Sequence, residues 1–245
     1  MGKVVDRVLI SVTAAAVLTT VFFFGVAYEQ VSRSNGPTVA LPSLPDAVHK
    51  RPEGLRELFT NVVMVDSPFG HGTGLYCRGL DPKGTDRVLV VTSAHVVAGV
   101  DRVRLIHEDG RAVRIQEGKV IYRADPPDIA LIEPIGEIPG NCPVITLLDG
   151  QPTLGEPVWF CGLIDGHSLA LETTIVSSTS QWIADQPYYG ITGVTYPGSS
   201  GSCVFVQRDG KLLLLGLVTC GRRGTVAPTW INTNDQIRDW LATLK

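Results

Sequence analysis

From Val62 onward, short apolar stretches recur along the chain: VVMV at 62–65, TGLYC at 73–77, RVLVVTS at 87–93, RVRLI at 102–106, KVIY at 119–122 and IALIE at 129–133. PVWFCG at 157–162, LETTIVSS at 171–178, CVFV at 203–206 and KLLLLGLVT at 211–219 continue the series. Val, Ile, Thr and aromatic residues fit a pleated, half-buried surface, and Gly, Pro, Asp or Asn punctuate the stretches every 8 to 15 residues. That rhythm predicts an all-β domain, an antiparallel sandwich or barrel, rather than βαβ units. About ten to twelve strands would make one large barrel or two small ones. Two helices are expected. One is short, Gly54 to Phe59; the other is terminal, Asn234 to Leu244, with Ile237, Leu241 and Leu244 at helical spacing behind a cap at Thr233 or Asn234. No internal repeat is visible.

The N-terminal pattern is of another kind. Val8 to Tyr28 is an uncharged run of 21 residues, flanked by Lys3, Asp6 and Arg7 on one side and Glu29 on the other. As a helix it would measure about 31 Å, enough for a bilayer core of about 30 Å. The alternative, a buried core helix, rarely shows so long an uncharged run. Gly25 and Ala27 form a small-x-small site of the kind signal peptidase cuts, but the apolar stretch before it is longer than an ordinary signal-peptide core, which favours an uncleaved anchor over a secreted product. The amino terminus, Lys3 and Arg7 outweigh Asp6, whereas Glu29 and Arg33 cancel, so the N-terminus is expected in the cytoplasm and the remainder outside it. Residues 30–51, rich in Pro and Ser and without periodicity, read as a flexible linker. The expected organisation is therefore an anchor at 1–29, a linker at 30–51 and a folded domain at 52–245.

Composition narrows the function. With 21 Lys+Arg against 24 Asp+Glu, a net charge of −3, the chain lacks the positive field of a nucleic-acid binder. Hydrophobic residues at 44%, with 26 Gly and 16 Pro, supply a core and many turns, which argues against disorder and against a helical array. The five cysteines, at 77, 142, 161, 203 and 220, form no C-x-x-C pair, so neither a zinc site nor a disulfide-dense scaffold is expected, although one or two bridges stay open beside at least one free thiol, and no cofactor is implied. Cys77, Cys161, Cys203 and Cys220 fall on expected strands, where a buried thiol acts as a small hydrophobe.

Three segments carry chemistry together. VTSAHVV at 91–97 puts His95 at the end of an apolar strand, DPPDIALI at 125–132 puts Asp128 just before another, and PGSSGS at 197–202 puts Ser200 in a Gly-flanked turn ahead of CVFV. A serine nucleophile needs a neutral imidazole to take its proton, and the imidazole needs a carboxylate to fix its tautomer and stabilise the imidazolium. Each segment alone is commonplace; the order His, Asp, Ser on an all-β background is specific.

In these segments the chain resembles the trypsin-like (chymotrypsin-fold) serine peptidases, in particular HtrA/Deg-type protease domains and bacterial glutamyl endopeptidases. TSAHVV is similar to the family's T-x-A-H, DIALI to its D-I-A-x-L strand, and PGSSGS to P-G-N-S-G-G and G-N-S-G-S. The resemblance implies two six-stranded antiparallel β-barrels and a C-terminal helix, here preceded by one transmembrane helix. It implies His95 as general base, Asp128 as orienting carboxylate and Ser200 as nucleophile, with Asp125 and the neighbouring Ser199 and Ser202 as weaker rivals. The oxyanion hole would lie in the turn Gly198, Ser199 and Ser200, with Gly198 and Ser200 donating N–H groups. Substrate would line up along Val194, Thr195, Thr219, Cys220 and Gly221. Val194 stands where trypsin has its base-selecting Asp, so a small or medium apolar residue is expected before the cut; Arg222 and Arg223 keep an acidic preference open. His71, in FGHGTG, reads as a loop residue or a substrate contact. Ser199 replaces the Asp that receives a newly cut N-terminus in the digestive branch, so activation by N-terminal insertion is not expected, and neither is a PDZ domain. The whole reads as a membrane-anchored serine endopeptidase acting on protein or peptide. A catalytically silent binding module and a phage or viral maturation peptidase are the alternatives.

Overall fold

A computed structural model describes residues 52, 54–108, 112–164, 168–193, 196–220 and 228–245. Among the described residues no helix is long and apolar enough to cross a membrane; the expected anchor at 8–28 and the linker at 30–51 lie outside them.

Among the described residues, helix α1 (Leu55–Phe59) is followed by twelve strands: β1 (Val62–Ser67), β2 (Gly70–Cys77), β3 (Leu89–Thr92), β4 (Arg102–Glu108), β5 (Val113–Ala124), β6 (Ile129–Ile135), β7 (Pro157–Ile164), β8 (Ser168–Ile183), β9 (Gln186–Ile191), β10 (Cys203–Arg208), β11 (Lys211–Cys220) and β12 (Thr229–Asn232). Helix α2 (Asn234–Thr243) ends the chain. The strands close into two six-stranded antiparallel barrels, ordered β1-β2-β3-β6-β5-β4 and β7-β8-β9-β12-β11-β10. The connectivity of the first is repeated in the second without a sequence repeat. Closure removes exposed sheet edges.

The apolar stretches seen in the sequence are the inward rows of these barrels. Val63, Val65, Tyr76, Val90, Leu105 and Ile132 fill the first, and Val158, Val176, Ile191, Val204, Leu215 and Ile231 the second. A third cluster lies between them, joining Leu75, Leu89, Val91 and Leu131 to Trp159, Phe205, Leu214 and Leu217. At about 1.5–3 kcal/mol for each fully buried Leu, Ile, Val or Phe, this shared layer makes the barrels one folding unit rather than two. Cys77, Cys161 and Cys203 sit in it as free thiols. Burial pushes the Cys161 thiol up to about 12 and raises those of Cys77 and Cys203, so all three stay protonated and act as apolar filler.

Both expected helices are present. Thr233 caps α2 with a capping box: its hydroxyl accepts the Gln236 N–H, while the Gln236 side chain accepts the Thr233 N–H. Two strands were not anticipated, β9 (QPYYGI) and β12 (TWIN), and β5 and β8 run far beyond their expected ends. Register shifts let β8 leave β7 after Ile175 and pair with β9 from Val176, so one long strand serves both halves of its barrel.

Candidate active site

The three candidate residues lie where the barrels meet. β3 is buried throughout and leads through Ser93 into a single 3-10 turn, Ala94–Val97. Buried Ala94, Val96 and Val97 fasten that turn to the first barrel and leave the His95 ring half-exposed in the cleft. Asp128, 7% exposed, ends the loop before β6 in a left-handed conformation, φ +55°. Asp tolerates this region better than most residues, yet the conformation needs fastening.

The two side chains meet directly. His95 Nδ1 lies 2.9 Å from Asp128 Oδ2 and 3.1 Å from Oδ1, and the His95 backbone N–H donates to Oδ1 at 2.9 Å. The carboxylate thus accepts a hydrogen bond from Nδ1–H, which fixes the tautomer that leaves the Nε2 lone pair free. The hydrogen bond to Asp128 raises the imidazole pKa above its usual 6.5; the charges of Asp128 and Asp125 add to this, and partial burial opposes it. Asp125, the rival acid, is exposed in the turn and acts on His95 only through its charge.

Ser200 sits in a turn held by main-chain bonds. Thr73 N–H donates to the Ser200 carbonyl at 2.7 Å, Gly201 N–H to the Val218 carbonyl at 2.8 Å, and Ser202 N–H to the Ser199 carbonyl at 3.0 Å. Gly198 and Gly201 have φ of +89° and +86°, and a Cβ on Gly201 would lie 2.2 Å from the Thr73 carbonyl oxygen and 3.0 Å from the Ser93 nitrogen. Only glycine allows this approach, which brings the serine turn against the segment carrying His95. Ser93 completes the seam by donating its hydroxyl to the Val218 carbonyl at 2.9 Å.

Ser199, the middle residue of the expected oxyanion turn, donates its N–H to the Tyr196 carbonyl at 3.1 Å and its hydroxyl to the same carbonyl at 2.8 Å. Ser199 is buried and shapes the turn from within, whereas Ser202 is fully buried against Gly162 of β7. Val218 has both main-chain groups engaged, and Thr219 is buried beside it with its hydroxyl donating to the Trp230 carbonyl at 3.3 Å. Val194, Thr195, Gly221, Arg222, Arg223 and the Cys220 side chain fall outside the described residues. His71 is an exposed residue of β2, paired in register with Asp66.

Sequence reasoning missed two residues. Thr73, 1% exposed, donates its hydroxyl to the Gly198 carbonyl at 2.7 Å while accepting the Leu163 N–H at 3.0 Å, so one side chain of the first barrel grips two segments of the second. The available signal was its setting between Gly72 and Gly74: a Cβ on Gly72 would lie 2.8 Å from the Ser200 carbonyl. Asn232 is the other, and nothing in TWIN marks it.

Twin antiparallel barrels with a His–Asp pair and a Gly-flanked serine turn at their junction define a chymotrypsin-like architecture. Residues 72–217 match the trypsin-like peptidase domain, and the chain belongs to that family, a serine endopeptidase by class. Comparison with curated proteins finds no match. Among solved structures, the Rv3671c protease from M. tuberculosis in its active form is 20% identical with a TM-score of 0.60, over 85% of this chain and 91% of that one. The serine endoprotease from Yersinia pestis is 17% identical, TM-score 0.59, over 78% of this chain and 65% of its own. The HtrA-type protease AlgW with tripeptide is 16% identical, TM-score 0.61, over 78% and 62% respectively. At these identities the likeness is one of fold.

Proposed function

We propose that this chain is a membrane-anchored serine endopeptidase in which Ser200 is the nucleophile, His95 the general base and Asp128 the residue that orients it. The observation that carries the reading is the double contact of Asp128 with the His95 ring and backbone, on a segment packed against the serine turn. His95 Nε2 takes the Ser200 hydroxyl proton as Oγ attacks the scissile carbonyl, and the resulting imidazolium is stabilised by Asp128. The tetrahedral oxyanion is received by the N–H groups of Gly198 and Ser200. Collapse passes the proton from His95 to the leaving amine and leaves an acyl-enzyme, which water hydrolyses with His95 again as base.

The uncharged run at 8–28 supports an anchor, with the catalytic domain on the extracytoplasmic side. Val194 supports cleavage after a small or medium apolar residue, since a substrate ammonium buried there would lack a partner.

Fluorophosphonate labelling of the full-length chain, beside Ser200→Ala, tests the chemistry. Labelling mapped to Ser200 and lost in the variant is expected; a folded chain that does not label would make the domain a binding module instead.

A further inference from the structure

Asn232 closes β12 with its side chain fully buried, and every polar atom of its carboxamide is engaged at long range. Oδ1 accepts the Leu217 N–H at 2.7 Å, and Nδ2 donates to the Pro127 carbonyl at 2.9 Å and to the Asp128 carbonyl at 3.4 Å. These partners settle which atom is oxygen and which nitrogen, because an amide N–H needs an acceptor and two carbonyls need donors. No other side chain of this size offers one acceptor and two donors in a plane; Asp would set a carboxylate oxygen against two carbonyl oxygens.

We propose that Asn232 is a positioning residue for the reaction: its carboxamide clamps the Pro127–Asp128 segment of the first barrel to β11 of the second and so keeps the Asp128 carboxylate aimed at His95. The inference deepens the proposed triad and rests on it. Three observations beyond the hydrogen bonds support it. Asp128 is held at φ +55°, a conformation a non-glycine residue leaves when released, and leaving it would swing the carboxylate away from the ring. β11 approaches as closely as glycine permits, since a Cβ on Gly216 would lie 2.0 Å from the Asn232 carbonyl oxygen. One residue beyond Leu217, Val218 accepts both the Ser93 hydroxyl and the Gly201 N–H, so β11 is the rail to which the acid loop, the His95 segment and the serine turn are all tied.

The test is the rate of phosphonylation of the full-length chain by a fluorophosphonate, followed against pH and normalised to the sites that finally react, for wild type, Asn232→Ala and Asn232→Asp. Misplacing a catalytic group by about an ångström from a remote position costs on the order of 10- to 100-fold, and that loss is expected in both variants. The acid limb is informative. Among the described residues the charged groups acting on His95 are Asp128 and Asp125, and the bond to Asp128 is the largest cause raising the imidazole pKa, so a loosened Asp128 moves the acid limb of Asn232→Ala to lower pH as the plateau falls. A merely structural Asn232 would lower the melting temperature and the reactive fraction while leaving the rate per site and its acid limb unmoved; that result overturns the proposal. Asn232→Asp retains the volume and the Leu217 acceptor, so it carries the test if Asn232→Ala does not fold. Relative to wild type at the same pH its rate recovers on acidification, when the protonated carboxyl again offers one donor, while the absolute rates of both fall as His95 is protonated. Failure of the underlying triad looks different: Ser200→Ala would still label, or Asp128→Asn would react like wild type.

Discussion

In the first barrel, His95 and Asp128 are held to each other by side-chain hydrogen bonds; in the second, the turn carrying Ser200 is held by main-chain bonds donated by Thr73 to Ser200, Gly201 to Val218 and Ser202 to Ser199. The strand order is the same in both barrels, so the difference comes from what each segment must do. An imidazole has to be turned to one tautomer and one orientation, which requires a directional partner on its ring. A serine turn has to converge amides on one point, which only the path of the backbone can do, and glycines at 198 and 201 permit that path. The first arrangement is therefore vulnerable to changes of functional group, the second to added carbon atoms.

The sharpest way to break this contrast is to exchange the vulnerabilities. Asp128→Asn changes one atom and is expected to lower turnover by about 10⁴-fold with the fold intact, by presenting the wrong tautomer. Gly201→Ala changes no functional group, yet its Cβ would meet the Thr73 carbonyl at 2.2 Å, so the reactive fraction should largely vanish. Near-normal labelling of Gly201→Ala would undo the claim that main chain holds the nucleophile. Thr73→Val sits between the two modes. It strips the grip on Gly198 and leaves the Leu163 N–H without an acceptor, and about 1–3 kcal/mol of stability should be lost in urea titration, with Thr73→Ser recovering most of it.

A subtler effect concerns pH. His95 accepts protons more readily than a free imidazole, so the active neutral form is lost on acidification from a pH above 6.5, and the acid limb of the rate profile should lie there. In Asp128→Asn that limb should move down. A wild-type limb at or below 6.5 would mean that Asp128 does not hold the ring in solution. The smallest effect belongs to the surface of the first barrel: removing the exposed Arg78–Asp86 pair, 3.1 Å apart, with Asp86→Ala should change stability by no more than about 0.5 kcal/mol.

Much of this protein is written locally. The apolar stretches marked ten of the strands because inward rows of a barrel must be apolar, and TSAH, DIAL and PGSSG marked His95, Asp128 and Ser200 because each needs its own strand end or turn. The α2 cap was legible for the same reason: Thr233 and Gln236 satisfy each other within one turn. β9 and β12 were not legible. Pro187 and Gly190 weaken the first and four residues are too few to declare the second, and they are strands because each pairs with the other. The outer ends of β5 and β8 stayed hidden because they alternate with charged and hydroxyl residues and are ordered by partners rather than by burial. The sequence by itself determined the class of fold and marked the candidate reacting groups, since these depend on side-chain chemistry and short periods. The tertiary structure alone decided how those groups are held: Thr73 and Asn232 act on residues about a hundred positions away, and hydrogen bonds closed over such distances leave no periodic trace in a chain.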